Sequence, residues 1–211
     1  MSLSAPYAAY AFEVIVSKLN RKKALSLATF LHHLPTGSSL PTTAPLFVTW
    51  NVLHGRHEKE LRGCIGTFAD LDLNSGVEEY ATISAFEDPR FEPISLEEVS
   101  ELECAVTILI DFERINDIYN WVVGTHGIQI SFSHKFRKYS GTFLPEVAQE
   151  QGWDQVETFQ QLLRKAGFNS SRIVNDPDSW VEQLNLKVVK YKGLKQKISY
   201  SEYIAARAAL G

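Results

Sequence analysis

The chain has 211 residues, 45% of them hydrophobic and 22% charged, with 21 Lys and Arg against 25 Asp and Glu, a formal net charge of −4. That length allows one large domain or two small ones, and that charge excludes a strongly basic nucleic-acid binder, because phosphate binding needs clustered Lys and Arg. No stretch approaches the ~18 apolar residues that cross a bilayer, residues 1–10 lack a secretory leader pattern, and two cysteines are too few for a disulfide framework; a reduced cytosolic or nuclear protein is expected.

Ala8, Ala11, Phe12, Ile15, Val16 and Leu19 share one face at helical spacing and predict the first helix. Residues 34–45, with three prolines among Ser, Thr and Gly, read as a surface loop. Residues 46–50 read as a strand, 54–60 as a polar turn, and 61–68 as the returning strand of a hairpin. Ser75 with Glu78, Ser95 with Glu98 and Ser199 with Glu202 carry the S-x-x-E capping signature and mark three helix starts. The apolar run 104–110 reads as a buried strand, and 116–123 as a short helix. Ile128, Ile130 and Phe132 alternate with polar residues in a strand, and 142–144 form another. Pro145 opens a helix. Val156, Phe159, Leu162, Leu163 and Ala166 line a further helix stopped by Gly167. Leu184, Leu186 and Val188 alternate as a strand before the last helix. Hairpins without a βαβ rhythm predict an α+β fold with antiparallel sheet.

The segment LRGCIG, residues 61–66, stands out. On a strand, Arg62 and Cys64 would share a face. A guanidinium beside the sulfur would favour thiolate and sharpen it as a nucleophile. Gly63 and Gly66 leave room for a close backbone or a ligand, and their N–H groups are candidate donors to developing negative charge. The opposing reading makes Cys64 a small apolar filler. Cys104, inside an apolar run, is expected to be core.

Asp88 and Arg90 lie in a loop bracketed by Pro89 and Pro93. A rigid arginine there suits a carboxylate or phosphate; a structural pair with Asp88 explains the same residues. His126 precedes a strand and is a candidate base for a thiol, against a merely solvated histidine. Glu146, beside Pro145, is either a carboxylate facing a cleft or a residue favoured by the helix dipole. The histidines lack metal-ligand spacing, and no metal or cofactor is expected.

Taken together, these segments resemble the AMMECR family. The resemblance rests on LRGCIG and, in order, on residues 45–50, SAFEDPRFEP at 84–93, GTHGI at 124–128, GTFLPEVAQEQGW at 141–153, residues 162–167 and the tail at 200–203. It implies two unequal subdomains, each an antiparallel sheet with flanking helices, with LRGCIG facing a cleft between them. Residues 1–113 with 184–211 would form the larger subdomain and 114–183 the smaller. The family's activity is unsettled. Some prokaryotic relatives are fused to, or encoded beside, Memo-type and radical-SAM proteins, which implies a shared modification pathway.

Three functions follow as expectations. The first is a thiol-dependent enzyme or modification factor, with Cys64 as nucleophile or acceptor, Arg62, Gly63, Gly66, Asp88 and Arg90 binding the substrate, and His126 and Glu146 as acid and base. The second is a non-catalytic adaptor that holds a protein segment or large ligand in the cleft. The third, disfavoured by charge, is an RNA-related binding module. No membrane partner is expected.

Overall fold

The computed structural model describes residues 5–32, 41–55 and 58–210. Its secondary structure is α+β with antiparallel strand pairing. The chain divides into two compact units, Met1–Ile108 with Leu194–Gly211, and Leu109–Gly193. No helix among the described residues is long and apolar enough to span a membrane.

In the first unit, α1 (Pro6–Leu19) begins with Pro6 in its first turn, where a missing N–H costs nothing. After the short α2 (Leu27–Leu31), β1 (Thr43–His54) and β2 (Glu58–Asp72) form the expected hairpin. β3 (Leu102–Ile115) pairs with the other side of β1, so the strand order is β2-β1-β3. Along β1 from Leu46 onward, Leu46, Val48 and Trp50 are buried, while Phe47, Thr49 and Asn51 alternate with them as half-buried residues. The period of two therefore separates a helix-covered face from an opposite face. α3 (Leu73–Phe86) lies on β1 and β2 and packs against α1. Phe12 joins this core, edge-on to Trp50 at 5.1 Å and stacked on Tyr203 at 5.4 Å.

α8 (Tyr200–Ala209) returns to this unit. The Ser199–Glu202 capping box forms there as the sequence predicts. Buried Glu13 ties α1 to α8: its carboxylate accepts from Tyr203 Oη at 2.7 Å and Arg207 Nε at 2.9 Å. It also accepts from the Leu25 N–H at 3.0 Å. Burial, the largest single influence, pushes its pKa up, but these bonds and the Arg207 charge together outweigh it and hold the carboxyl below the usual value.

In the second unit the strand order is β6-β4-β5, from β4 (Gly127–His134), β5 (Arg137–Phe143) and β6 (Lys187–Ser199). α4 (Pro145–Glu150) and α5 (Gln155–Lys165) follow β5, and α6 (Ser171–Val174) and α7 (Pro177–Glu182) precede β6. The core centres on Phe159, Leu162, Leu163 and Trp180. Trp180 is sealed, and its indole N–H donates to the Ile173 carbonyl at 2.9 Å. β3 and β6 each pass from one unit into the other.

Several expected elements differ. α3 starts earlier than Ser75 because the Asp72 side chain caps it, accepting from the N–H groups of Asn74 and Ser75. Ser95 caps no α-helix; a single 3₁₀ turn, Val99–Glu101, follows instead. Residues 116–123 form turns. Asp117 Oδ1 takes the Tyr119 N–H at 2.9 Å, and Gln155 takes the Tyr119 and Trp121 carbonyls. Backbone groups claimed by side chains are lost to a helix. The strand expected at 184–188 begins at Lys187 and extends to Ser199. Of the loop expected at 34–45, residues 33–40 lie outside the described residues, and 43–45 belong to β1.

Candidate functional site

LRGCIG occupies the middle of β2. Gly63 pairs with Trp50 and Cys64 with Thr49. Trp50 lies on the helix-covered face, so Gly63 faces α3 and Cys64 faces the opposite side. A Cβ on Gly63 would lie 2.2 Å from the Ser84 carbonyl oxygen of α3. The same contact is held by a buried bond from Trp50 Nε1 to Ser84 Oγ at 2.9 Å. A Cβ on Gly66 would lie 2.2 Å from the Phe47 ring and 2.6 Å from the Leu46 carbonyl oxygen. What approaches both glycines closely is protein.

Cys64 is half-buried, and its Sγ accepts a hydrogen bond from Thr49 Oγ1 at 3.2 Å. Its backbone is clamped from the far side. β2 is the outer strand of this unit's sheet, so its outward N–H and C=O groups have no strand to bond. Asp88 Oδ2 takes the Cys64 N–H at 2.9 Å, and Arg90 Nη2 donates to the Cys64 carbonyl at 3.0 Å. One ion pair thus does at Cys64 what a neighbouring strand would do, and it blunts an exposed edge. Two register shifts, between Trp50 and Asn51 and between Ala44 and Leu46, break the ladder on either side.

The clamp is rigid. Asp88 is 4% exposed. Its Oδ1 also accepts from the Arg90 N–H at 3.1 Å and from Arg90 Nε at 2.9 Å, and its Oδ2 accepts from Arg90 Nη2 at 2.7 Å. The Arg90 bonds, then the Cys64 N–H, hold the Asp88 carboxyl far below the usual range despite burial. Arg90 is held above its ordinary value, first by Asp88 and to a smaller degree by the Cys64 sulfur.

Arg62 is the residue skipped at the first register shift, since Trp50 pairs with Gly63 and Asn51 with Leu61. Its Nε forms an ion pair with Glu98 Oε1 at 2.7 Å. Its guanidinium stands 6.0 Å from the Phe91 ring centroid, and that of Arg90 stands 5.4 Å from the same ring. The guanidinium bonded to the Cys64 segment is therefore that of Arg90. Arg62, Gly63, Cys64, Gly66, Asp88 and Arg90 all belong to the first unit.

His126 and Glu146 belong to the second unit. The Val122 N–H donates to His126 Nδ1 at 3.1 Å. With Nδ1 accepting, the neutral ring carries its proton on Nε2. Burial, then Lys190 and Lys192, pushes the His126 pKa down. Glu146 lies in the first turn of α4, where the helix dipole favours an acid. Cys104 is sealed in β3, and burial pushes its thiol up. Among the described residues, no three His, Cys, Asp or Glu side chains group to hold a metal ion.

Sequence reasoning missed Thr49, Phe91 and Glu98. Phe91 lies within the DPRFEP stretch, but its contact with two guanidinium groups has no local signature. Thr49 reaches Cys64 only through the hairpin register.

Residues 8–192 match the AMMECR1 family profile. The chain belongs to the AMMECR1 family. An uncharacterised protein of Kluyveromyces lactis is 41% identical, covering 96% of this chain and 94% of its own length. An uncharacterised protein of Schizosaccharomyces pombe is 38% identical, covering 97% of each. The crystal structure of an uncharacterised protein from Pyrococcus horikoshii superposes with a TM-score of 0.64 at 27% identity, covering 95% of both chains. This AMMECR1-family chain therefore shares its fold with a solved protein and nearly its whole length with relatives of unassigned activity.

Proposed function

We propose that the Cys64 sulfur is the reactive centre of this AMMECR1-family protein and serves as a nucleophile or covalent acceptor. The observation that carries the reading is the Thr49 hydroxyl bonded to a half-buried sulfur. The Cys64 backbone is at the same time fixed by Asp88 and Arg90. A hydroxyl donor favours negative charge on sulfur, and a fixed backbone removes the reorganisation that attack would otherwise require. In the reaction the sulfur forms a bond to an electrophilic carbon, the leaving group departs with its electron pair, and the thiol proton passes to solvent. Asp88 and Arg90 act by positioning. Their charges satisfy one another, so Arg90 offers the sulfur a held cation rather than a free one.

Exchanging the hydroxyl for a methyl tests this. Thr49→Val keeps the shape and removes the donor. Native alkylation of Cys64 by iodoacetamide is expected to slow about tenfold, in line with the loss of one hydrogen bond to a charged group. An unchanged rate contradicts the role given to Thr49.

A second reading has one observation in its favour. Gly63 and Gly66 are both demanded by packing, so LRGCIG is in part a structural motif, as an adaptor would need. Under that reading Cys64→Ser leaves binding of any partner intact.

A further inference from the structure

The β4–β5 hairpin of the second unit ends in a feature that its fold does not need. His134 pairs with Arg137, so Lys135 and Phe136 alone form the turn. Their φ values are 45° and 64°. Two-residue turns of this kind favour Asn-Gly, because both residues adopt left-handed backbone. A bulky aromatic there is strained. Phe136 is also fully exposed, at 109%, so no burial offsets the strain. Lys135, Arg137 and Lys138 flank it and are exposed as well.

Behind the tip is a notch. β4 pairs with β6 only as far as Ser131 with Lys187, whereas β4 and β5 stay paired to the tip. The gap leaves a cavity of about 470 Å³, lined among others by Ser131, Ser133, Lys138, Ser140, Asn185 and Lys187. The register explains the convergence. Lys187, Ser131 and Ser140 stand in one row across three strands, and Ser133 and Lys138 stand in the next. Residues two apart share a face, so two ammonium groups and three hydroxyls crowd one side of the sheet. Among the described residues, no carboxylate lines the cavity. Neither lysine has an ion pair among the described residues.

We propose that this hairpin docks on an anionic phospholipid surface, with Phe136 entering the interface and the notch receiving a headgroup phosphate. The spacing fits. Lys138 lies two residues from Phe136, roughly 7 Å along a strand. The headgroup layer on each side of a bilayer is about 5–8 Å deep. With Phe136 at the hydrocarbon boundary, the Ser133–Lys138 row therefore sits at the phosphates. Four local cations on a chain of net charge −4 would orient this end toward the membrane. This departs from the expectation, drawn from the sequence, of no membrane partner; the lack of an apolar span bears on crossing a bilayer, and docking requires no such span.

Sedimentation of the full chain with vesicles tests this. Binding is expected to phosphatidylcholine vesicles containing phosphatidylserine, and not to phosphatidylcholine alone. Phe136→Ser, and separately Lys138→Glu with Lys187→Glu, are expected to weaken it at least about tenfold, with unchanged circular dichroism. Inorganic phosphate is expected to compete weakly, because it offers Phe136 nothing. No binding to anionic vesicles overturns the proposal, as does binding that Phe136→Ser leaves unchanged. Capture by immobilised poly-glutamate without vesicle binding also overturns it and assigns the surface to an acidic protein.

Discussion

Gly63→Ala is expected to destabilise the first unit by about 3 kcal/mol or more. The added methyl would sit 2.2 Å from the Ser84 carbonyl oxygen, a backbone atom of α3 that no rotamer change can move aside. Either α3 shifts or β2 does. A shift of α3 stretches the buried Trp50–Ser84 bond, now 2.9 Å, and an unpaired indole N–H in that core adds its own penalty. A shift of β2 draws Cys64 away from Thr49 and from the Asp88–Arg90 clamp. Thermal unfolding reads the loss directly, as a fall of roughly 6–12 °C for a chain of this size. Cys64→Ala is the companion variant, since it removes only the sulfur and its one hydroxyl contact. If Gly63→Ala proved as stable as Cys64→Ala, the helix–strand contact would not be as close as described.

Asp88→Ala is expected to cost about 2 kcal/mol, in the range for losing hydrogen bonds to a charged group, because the Arg90 left behind is half-exposed rather than a charge stranded in the core. The carboxylate is nearly sealed and accepts four hydrogen bonds, three of them from Arg90 and one from the Cys64 N–H. Its removal leaves the strand edge at Cys64 without an acceptor and frees Arg90 to swing from the Cys64 carbonyl. The same group gives a pH dependence of definite sign. Its folded pKa lies far below the unfolded value of about 4. The native form therefore holds the deprotonated carboxylate where the unfolded chain takes up a proton. Its contribution is complete above the ordinary carboxylate range, declines as pH falls below it, and is gone once the folded carboxyl also protonates. Denaturant midpoints for wild type and Asp88→Ala should therefore converge as pH falls from 6 to 2. Parallel lines would deny the carboxylate its role.

The hairpin that carries LRGCIG was legible because residues 46–50 and 61–68 alternate or run apolar around a polar turn, and the structure forms β1 and β2 there. The buried strand around Cys104 and the C-terminal capping box were legible for equally local reasons. Where the reading failed, a side chain outcompeted the backbone pattern. Asp72 took the helix start assigned to Ser75, and Asp117 with Gln155 drew residues 116–123 into turns. The site was legible as a set of segments but not as a geometry. Arg62 and Cys64 lie two apart in sequence, which promised a shared face. The skipped residue at Arg62 breaks that alternation and sends its guanidinium to Glu98, so the cation bonded at Cys64 comes from a loop 26 residues later. Thr49 depends wholly on register, and a register is a property of two strands together.

A reactive centre at Cys64 requires a sulfur that reagents reach in the folded protein. Iodoacetamide labelling of the native chain at neutral pH, resolved by peptide mass spectrometry, measures this against an internal reference, the sealed Cys104 of the same molecule. Cys64 is expected to label at least about tenfold faster than Cys104, without denaturant, because Cys64 is half-buried and Cys104 is sealed. Equal rates for the two thiols, or labelling of Cys64 only at denaturant concentrations that unfold the chain, would contradict it.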